Sequence, residues 1–211
     1  MVGIKERLQL IQLPNATILC TGIDTEMLQD ALRTVFPDFN FVNEANLSPA
    51  SLDGVIAHFA LSYSHDVLPL LWRYRAALKP DGLLFCSHFG LDTLQEWRAH
   101  SQHILPNRCD MHELGDLLLH AGFSDPVIDV DYYYTRHRKY DHYLHELQLT
   151  CMLKESAGEV DVNVTESGDG WLTTYEIIYA HAFAKQEDFE AKPDNDMIVK
   201  IPVSKIGRIM R

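Results

Sequence analysis

The sequence predicts an α/β fold, with a largely parallel sheet between layers of helices. Strand-like and helix-like segments alternate along the chain, which is typical of layered α/β proteins. A strand, a helix, a Lys-Pro-Asp-Gly turn at residues 79–82 and another strand follow in order, which favours a parallel pair joined by a crossover helix. The chain of 211 residues has no internal repeat, and we expect one domain at residues 1–185 and a tail at residues 186–211.

The first predicted strand and helix flank a single glycine. Residues 16–20 are a short, apolar and β-branched run that leads to Gly22. Apolar residues at helical spacing then predict an amphipathic helix, namely Met27, Leu28, Ala31, Leu32, Val35 and Phe36. We expect Asp24 to cap this helix and Pro37 to end it.

The middle of the chain contributes three more strands and a helix. Residues 39–42 predict a short strand, and residues 52–61 predict a buried strand that runs into a loop. A helix is expected from Asp66, with its apolar face formed by Val67, Leu71, Tyr74 and Leu78. The apolar run at residues 83–87 is the strand after the turn.

The second half continues the alternation. Leu94, Trp97 and Ile104 indicate a weak helix, whereas Asp110 and Glu113 form a capping box before a strong one that ends at Gly122. A half-exposed strand at 127–135, a helix at 140–151 and a β-rich run at 171–185 complete the order.

Composition excludes several classes of protein. With 18 basic and 30 acidic residues, the net charge of -12 disfavours binding to nucleic acid, which depends on Lys and Arg. No apolar stretch approaches the ~20 residues that span a bilayer, and the N-terminus has no signal-peptide core. The four cysteines form no C-x-x-C pair, so we expect free thiols and a cytoplasmic protein.

Six stretches of the chain carry the motifs of one family. They are RLQLIQLP at 7–14, SLDGVIAHFAL at 51–61, LKPDGLLF at 78–85, FGLDTLQEWR at 89–98, DMHELGDLLLHAGFSDP at 110–126 and YEIIYAHAF at 175–183. Together with the order of elements, they resemble the malonyl-acyl-carrier-protein O-methyltransferases of biotin synthesis. The resemblance covers nearly the whole chain and implies a class I methyltransferase (Rossmann-like) sheet flanked by helices.

The resemblance implies that S-adenosylmethionine (SAM) methylates the free carboxylate of a malonyl thioester on acyl carrier protein. An acceptor carboxylate is already ionised at pH 7, so no general base is required and we assign no catalytic residue. The positions that match the cofactor pocket of the family are Gly22, Glu44, His58 and Ala60.

The chain departs from the family around the cofactor. In the family an acidic residue ends the first strand and a Gly-x-Gly loop follows, whereas here Cys20 takes the acidic position and only Gly22 remains. A competing interpretation is that this turn needs no ligand, since the side chain of Asp24 can cap its own helix. Between Phe36 and Leu52 the family has a strand, a crossover helix and a further strand, so the first half is expected to be shortened by about one unit.

Two pocket residues keep alternative interpretations. Glu44 is the nearest candidate for the ribose-binding carboxylate at the end of the second strand, or else a solvent-facing loop acid. His58 ends a predicted strand, where open α/β sheets bind ligands, or else it packs at the strand end.

Residues 136–139, Arg-His-Arg-Lys, are the dense basic cluster of this acidic chain. Arg136 and Arg138 are candidates to bind the malonyl carboxylate or the acidic carrier protein, or else they belong to a solvated turn. His142 and His145 have no third ligand at a sensible spacing, so we expect no metal site.

These features leave competing functions. The chain is an active SAM-dependent carboxyl methyltransferase, or a degenerate member that no longer binds SAM and acts as a partner. A third hypothesis is a carrier-protein-binding module that keeps the basic cluster alone. A paralogue could also supply the missing segment in a heteromer.

Overall fold

A computed structural model describes residues 2–11, 13, 15–44, 47–154 and 170–185, so the predicted tail at 186–211 lies outside it. Its strands are β1 Thr17–Gly22, β2 Asn40–Val42, β3 Leu52–His58, β4 Leu78–Phe89, β5 Phe123–His137 and β6 Trp171–Ala184. They form one six-stranded sheet in the order β2-β1-β3-β4-β6-β5. The predicted α/β sheet is confirmed, and each predicted strand is present.

The described helices are α1 Val2–Leu8, α2 Thr25–Arg33, α3 Val67–Ala77, α4 Met111–His120 and α5 Tyr140–Leu149. The weak helix predicted near Trp97 is instead a 3₁₀ segment, Gln95–His103, interrupted at His100. The sequence patterns did not indicate α1. None of the described helices is long and apolar enough to cross a membrane.

The carboxyl ends of β1, β3 and β4 lie at one edge of the sheet, because these strands run in the same direction. β1 pairs in parallel with β2 and β3, and β3 pairs in parallel with β4. β6 lies antiparallel between β4 and β5. The link from β2 to β3 covers only residues 43–51 although it must pass β1, and a parallel crossover normally needs a dozen or more residues. The first half of the fold is therefore shortened, as predicted.

The central strands are buried on both faces, because successive side chains contribute to different apolar clusters. Leu19, Val55 and Leu84 pack with α3 and α4, whereas their neighbours Ile18 and Ile56 pack with α1 and α2. A strand alternates its side chains between the two faces of a sheet, so each face needs its own helical layer. This explains why the predicted strands read as continuous apolar runs.

One predicted helix cap is confirmed and the other is wrong. Oδ1 of Asp110 accepts hydrogen bonds from the backbone N–H groups of His112 and Glu113, at 2.7 and 2.8 Å. Asp24 occupies the N-cap position of α2 in a left-handed conformation, with φ of 48°, and its side chain makes no capping hydrogen bond. Met27, predicted on the apolar face of α2, is 54% exposed.

Candidate functional site

A cavity of about 330 Å³ opens at the carboxyl ends of β1 and β3. This is the edge where open α/β sheets bind ligands. The predicted site residues Gly22, Glu44 and Ala60 all line it, which brings together residues from three separate parts of the chain. The full lining set is Thr21, Gly22, Ile23, Glu44, Phe59, Ala60, Tyr63, Ser64, Leu70 and Tyr74.

Gly22 lets the β1–α2 turn lie directly against β3. Its φ is +106°, and a Cβ at this position would lie 2.0 Å from the carbonyl oxygen of His58. The N–H of Ile23 donates to that same carbonyl at 2.9 Å. Glycine is therefore required both by its conformation and by the close approach of the two backbones. As a result, bare backbone forms this wall of the cavity.

Glu44 supplies the charge among the described lining residues. Its Oε1 forms an ion pair with Nη2 of Arg73 at 2.9 Å, and its side chain is 42% exposed. The carboxylate of Glu44 is half-exposed and also lines the cavity, and its binding of a ribose stays a prediction. A carboxylate at the end of β2 has acceptor positions for the hydroxyl groups of a ligand.

The ring of His58 belongs to the support of the cavity, since His58 is not among the lining residues. Its Nδ1 lies 2.8 Å from Oγ of Ser87, a fully buried residue of β4. Burial lowers the pKa of His58 to about 4, so the imidazole is neutral at pH 7. Whether His58 contacts a cofactor stays a prediction.

Ser87 also accepts a hydrogen bond from Phe59, the residue that follows His58 in the chain. The N–H of Phe59 donates to the carbonyl oxygen of Ser87 at 3.1 Å and lies 3.2 Å from its Oγ. Phe59 has a left-handed φ of 54°, which is uncommon for a bulky side chain. Its ring stacks on Phe89, with centroids 4.2 Å apart. Ser87 thereby fixes the wall formed by Phe59 and Ala60.

Sequence patterns missed the tyrosines of the site. Tyr74 was expected on the apolar face of its helix, and it is fully buried there, but its hydroxyl also reaches Oγ1 of Thr21 at 3.5 Å. Burial raises the pKa of Tyr74 to about 12, so the hydroxyl keeps its proton. Tyr63 donates to the carbonyl oxygen of Cys151 at 3.2 Å. Helical spacing alone gives no signal that a buried tyrosine also faces a cavity.

Cys20 does not restore the missing acid. Its side chain is buried in the cluster below α1 and α2 and is not among the lining residues. Burial raises the pKa of the Cys20 thiol to about 12, so this position carries no negative charge at pH 7. Among the described lining residues, Glu44 provides the one carboxylate, whereas the resemblance implies two acidic positions.

The predicted basic residues lie elsewhere. Arg136 near the end of β5 and Arg138 just after it are both exposed, and neither lines the cavity. Between them, Nε2 of His137 lies 3.2 Å from a carboxylate oxygen of Glu146. Within the described ranges, no group of three His, Cys, Asp or Glu residues is placed to hold a metal ion.

Similar proteins come from two comparisons. A malonyl-[acyl-carrier protein] O-methyltransferase of Methylovorus is 32% identical over 159 residues, which are 66% of this chain and 54% of that protein. One from Coxiella burnetii is 30% identical over 75% of this chain and 62% of its own length. The chain thus spans little more than half the length of these relatives. No protein-family model matches.

Solved structures show the same fold. A Bacillus halodurans protein, described as a candidate methyltransferase, superimposes with a TM-score of 0.59 at 12% identity. The match covers 88% of this chain and 100% of that one. At such low identity the likeness establishes the architecture alone.

Proposed function

We propose that this chain binds SAM and methylates the free carboxylate of malonyl-acyl carrier protein in biotin precursor synthesis. The chain has the class I methyltransferase fold and is a divergent relative of the malonyl-[acyl-carrier protein] O-methyltransferases. The observation that carries the proposal is the cavity at the ends of β1 and β3. Three of its lining residues, Gly22, Glu44 and Ala60, are among the four that the resemblance assigns to the cofactor.

The residues of the cavity fit SAM by size and chemistry. A volume of about 330 Å³ falls within the usual range for small-molecule sites. Glu44 would accept hydrogen bonds from the ribose, the bare backbone at Gly22 would allow close approach, and Phe59 and Leu70 would contact apolar parts. SAM supplies an electrophilic methyl group on a sulfonium centre.

The chain itself needs to orient and shield the reacting groups. Because the acceptor carboxylate is ionised at pH 7, no side chain has to remove a proton. Holding a nucleophile in line, in a site from which water is excluded, provides large rate enhancements by itself. Phe59 and Tyr63, which line the cavity and contact the aromatic ring of Phe89, are placed to exclude water.

A specific observation favours the alternative function, a degenerate methyltransferase that acts as a partner. Cys20 is a neutral, buried thiol at the position of an acid, and the crossover between β2 and β3 is reduced to residues 43–51. SAM binding separates the two hypotheses.

Purified protein is therefore expected to be stabilised by SAM. A ligand at 100 times its dissociation constant adds about 2.7 kcal/mol to the free energy of unfolding, which a thermal shift detects. Glu44→Gln should weaken SAM binding by about tenfold, since a hydrogen bond to a charged group contributes about 1.5–3 kcal/mol. Glu26→Gln, an exposed residue of α2, is the matched control. No shift at millimolar SAM would support the degenerate protein.

Carrier-protein binding is expected to depend on the basic cluster. Arg136→Glu combined with Arg138→Glu should weaken binding of malonyl-acyl carrier protein by at least about tenfold, because both changes place negative charge against an acidic partner. Calorimetry at low and high salt measures the loss. The double variant Lys5→Glu and Arg33→Glu changes the net charge equally, on α1 and α2, and should bind normally. Equal affinities for both double variants would exclude this surface.

The acceptor and the setting complete the proposal. Complementation of a biotin auxotroph tests the substrate, and failure by a chain that binds SAM would indicate another acceptor. The four cysteines are free, which supports the cytoplasm as the proposed compartment. Coexpression with a paralogue tests the proposed heteromer.

A further inference from the structure

The outer edge of β5 is available to another strand. β5 is the last strand of the sheet, and it pairs with β6 in one unbroken register from Val127 opposite His181 to His137 opposite Trp171. On its other side, no strand among the described residues pairs with it. An exposed strand edge carries unpaired N–H and C=O groups that can pair with a second chain.

A stripe of exposed side chains marks one end of this edge. Alternate residues of a strand share a face, so Tyr132, Tyr134 and Arg136 point to the same side. All three are exposed, and Tyr134 has 62% of its surface accessible. Ile128 and Val130 precede them on this face but pack against the core cluster that contains α4 residues. The exposed stripe therefore begins where the side chains of β5 no longer pack against this core cluster.

The side chains of the stripe complement those of a second copy of β5 that runs in the opposite direction. If two copies of β5 pair antiparallel with Tyr134 opposite Tyr134, then Tyr132 of each copy faces Arg136 of the other. Aromatic rings pair favourably with each other and with an arginine. On the opposite face, the same register sets Asp131 against His137, which already pair with Arg7 and Glu146 of their own chain. The aromatic and arginine side chains of the exposed face are thus what matches a second copy of this chain.

We propose that the outer edge of β5 is an isologous interface, at which two copies of the chain pair antiparallel about a two-fold axis at Tyr134. A two-fold axis makes each contact occur twice, so a short segment contributes a symmetric set of cross-strand pairs. The two sheets then form one continuous sheet of twelve strands, twice the six of one copy. Arg136 lies in this interface, whereas Arg138 lies beyond β5, so in the dimer the contact with a carrier protein would depend on Arg138.

Molar mass measured by light scattering after gel filtration, across a wide concentration range, tests the interface. We expect a concentration-dependent dimer. Tyr134→Lys and Tyr134→Glu should each be monomeric, because like charges directly opposite each other on paired strands are destabilising. An equimolar mixture of the two variants should regain the dimer mass, since opposite charges then meet at the axis. Tyr134→Phe should dimerise as the unmodified chain does.

Val127→Lys is the matched control. Val127 is 54% exposed on the same strand, but in this register it lies opposite position 141, beyond the partner's β5. It should therefore keep the dimer. A chain that is monomeric at every concentration overturns the proposal. So does a dimer that survives both charged variants, or a mixture that stays monomeric. No SAM or carrier protein is present, so the result is independent of the proposed activity.

Discussion

Gly22→Ala is expected to lower the free energy of unfolding by about 2 to 6 kcal/mol and to abolish ligand binding in the cavity. The added Cβ would lie 2.0 Å from the carbonyl oxygen of His58, and the backbone would keep a φ of +106° that an alanine disfavours. Backbone strain and overpacking contribute about 1–3 kcal/mol each. Neither can relax by rotation of a flexible side chain, because the atom in the way belongs to the backbone of β3.

Urea unfolding measures this loss, and Gly115→Ala provides the contrast. Gly115 lies inside α4, and the nearest atom to an added Cβ is a terminal methyl carbon of Ile128, at 3.2 Å. Alanine is favoured over glycine in a helix interior by about 0.5–1 kcal/mol. This gain offsets the cost of the close contact with Ile128, so the stability of the variant should be close to that of the unmodified chain. If Gly22→Ala were as stable as Gly115→Ala, the close approach of β1 and β3 would be wrong.

The sheet could be predicted because its signals are local, and three of the ten lining residues of the cavity were expected from the sequence. Apolar β-branched runs and helical spacing each act within about ten residues, and they indicated β1, β3, α3 and β4. The Lys-Pro-Asp-Gly segment, expected to be a turn, lies inside β4, where the pairing with β3 shifts register. Gly22 and Ala60 follow from the same pattern, since residues at the carboxyl ends of parallel strands must share one edge. Glu44 was expected from the resemblance, which implies a ribose-binding carboxylate at the end of the second strand.

The other features depend on partners far away in sequence. Phe59 adopts a left-handed φ because Ser87, on the next strand, accepts its N–H. His58 turns to the same serine, and Tyr74 reaches Thr21. Such pairings form only after the strands are in register, so no spacing of residues along the chain predicts them. The failure of Asp24 as a cap has a related reason. The turn that contains it packs against β3 at Gly22, and Asp24 has a left-handed conformation there without a capping hydrogen bond.

Acid is expected to destabilise the fold through His58, by about 3 kcal/mol in total. Burial lowers the pKa of His58 from an ordinary 6.5 to about 4, so between these values the unfolded chain binds a proton that the folded chain does not. Stability therefore rises with pH in this window. The contribution is complete above pH 6.5, declines as pH falls and is lost below about pH 4.

Unfolding by urea at a series of pH values tests this, with His58→Asn as the variant. The amide keeps a polar group beside Oγ of Ser87 but does not titrate, so its stability profile between pH 4 and 6.5 should be flatter than that of the unmodified chain. His142→Asn, at an exposed position of α5, should keep the original slope. A smaller slope should remain in His58→Asn, because burial also lowers the pKa of His88. Parallel profiles for His58→Asn and the unmodified chain would mean that folding leaves the pKa of His58 unchanged. The burial of its ring beside Ser87 would then be wrong.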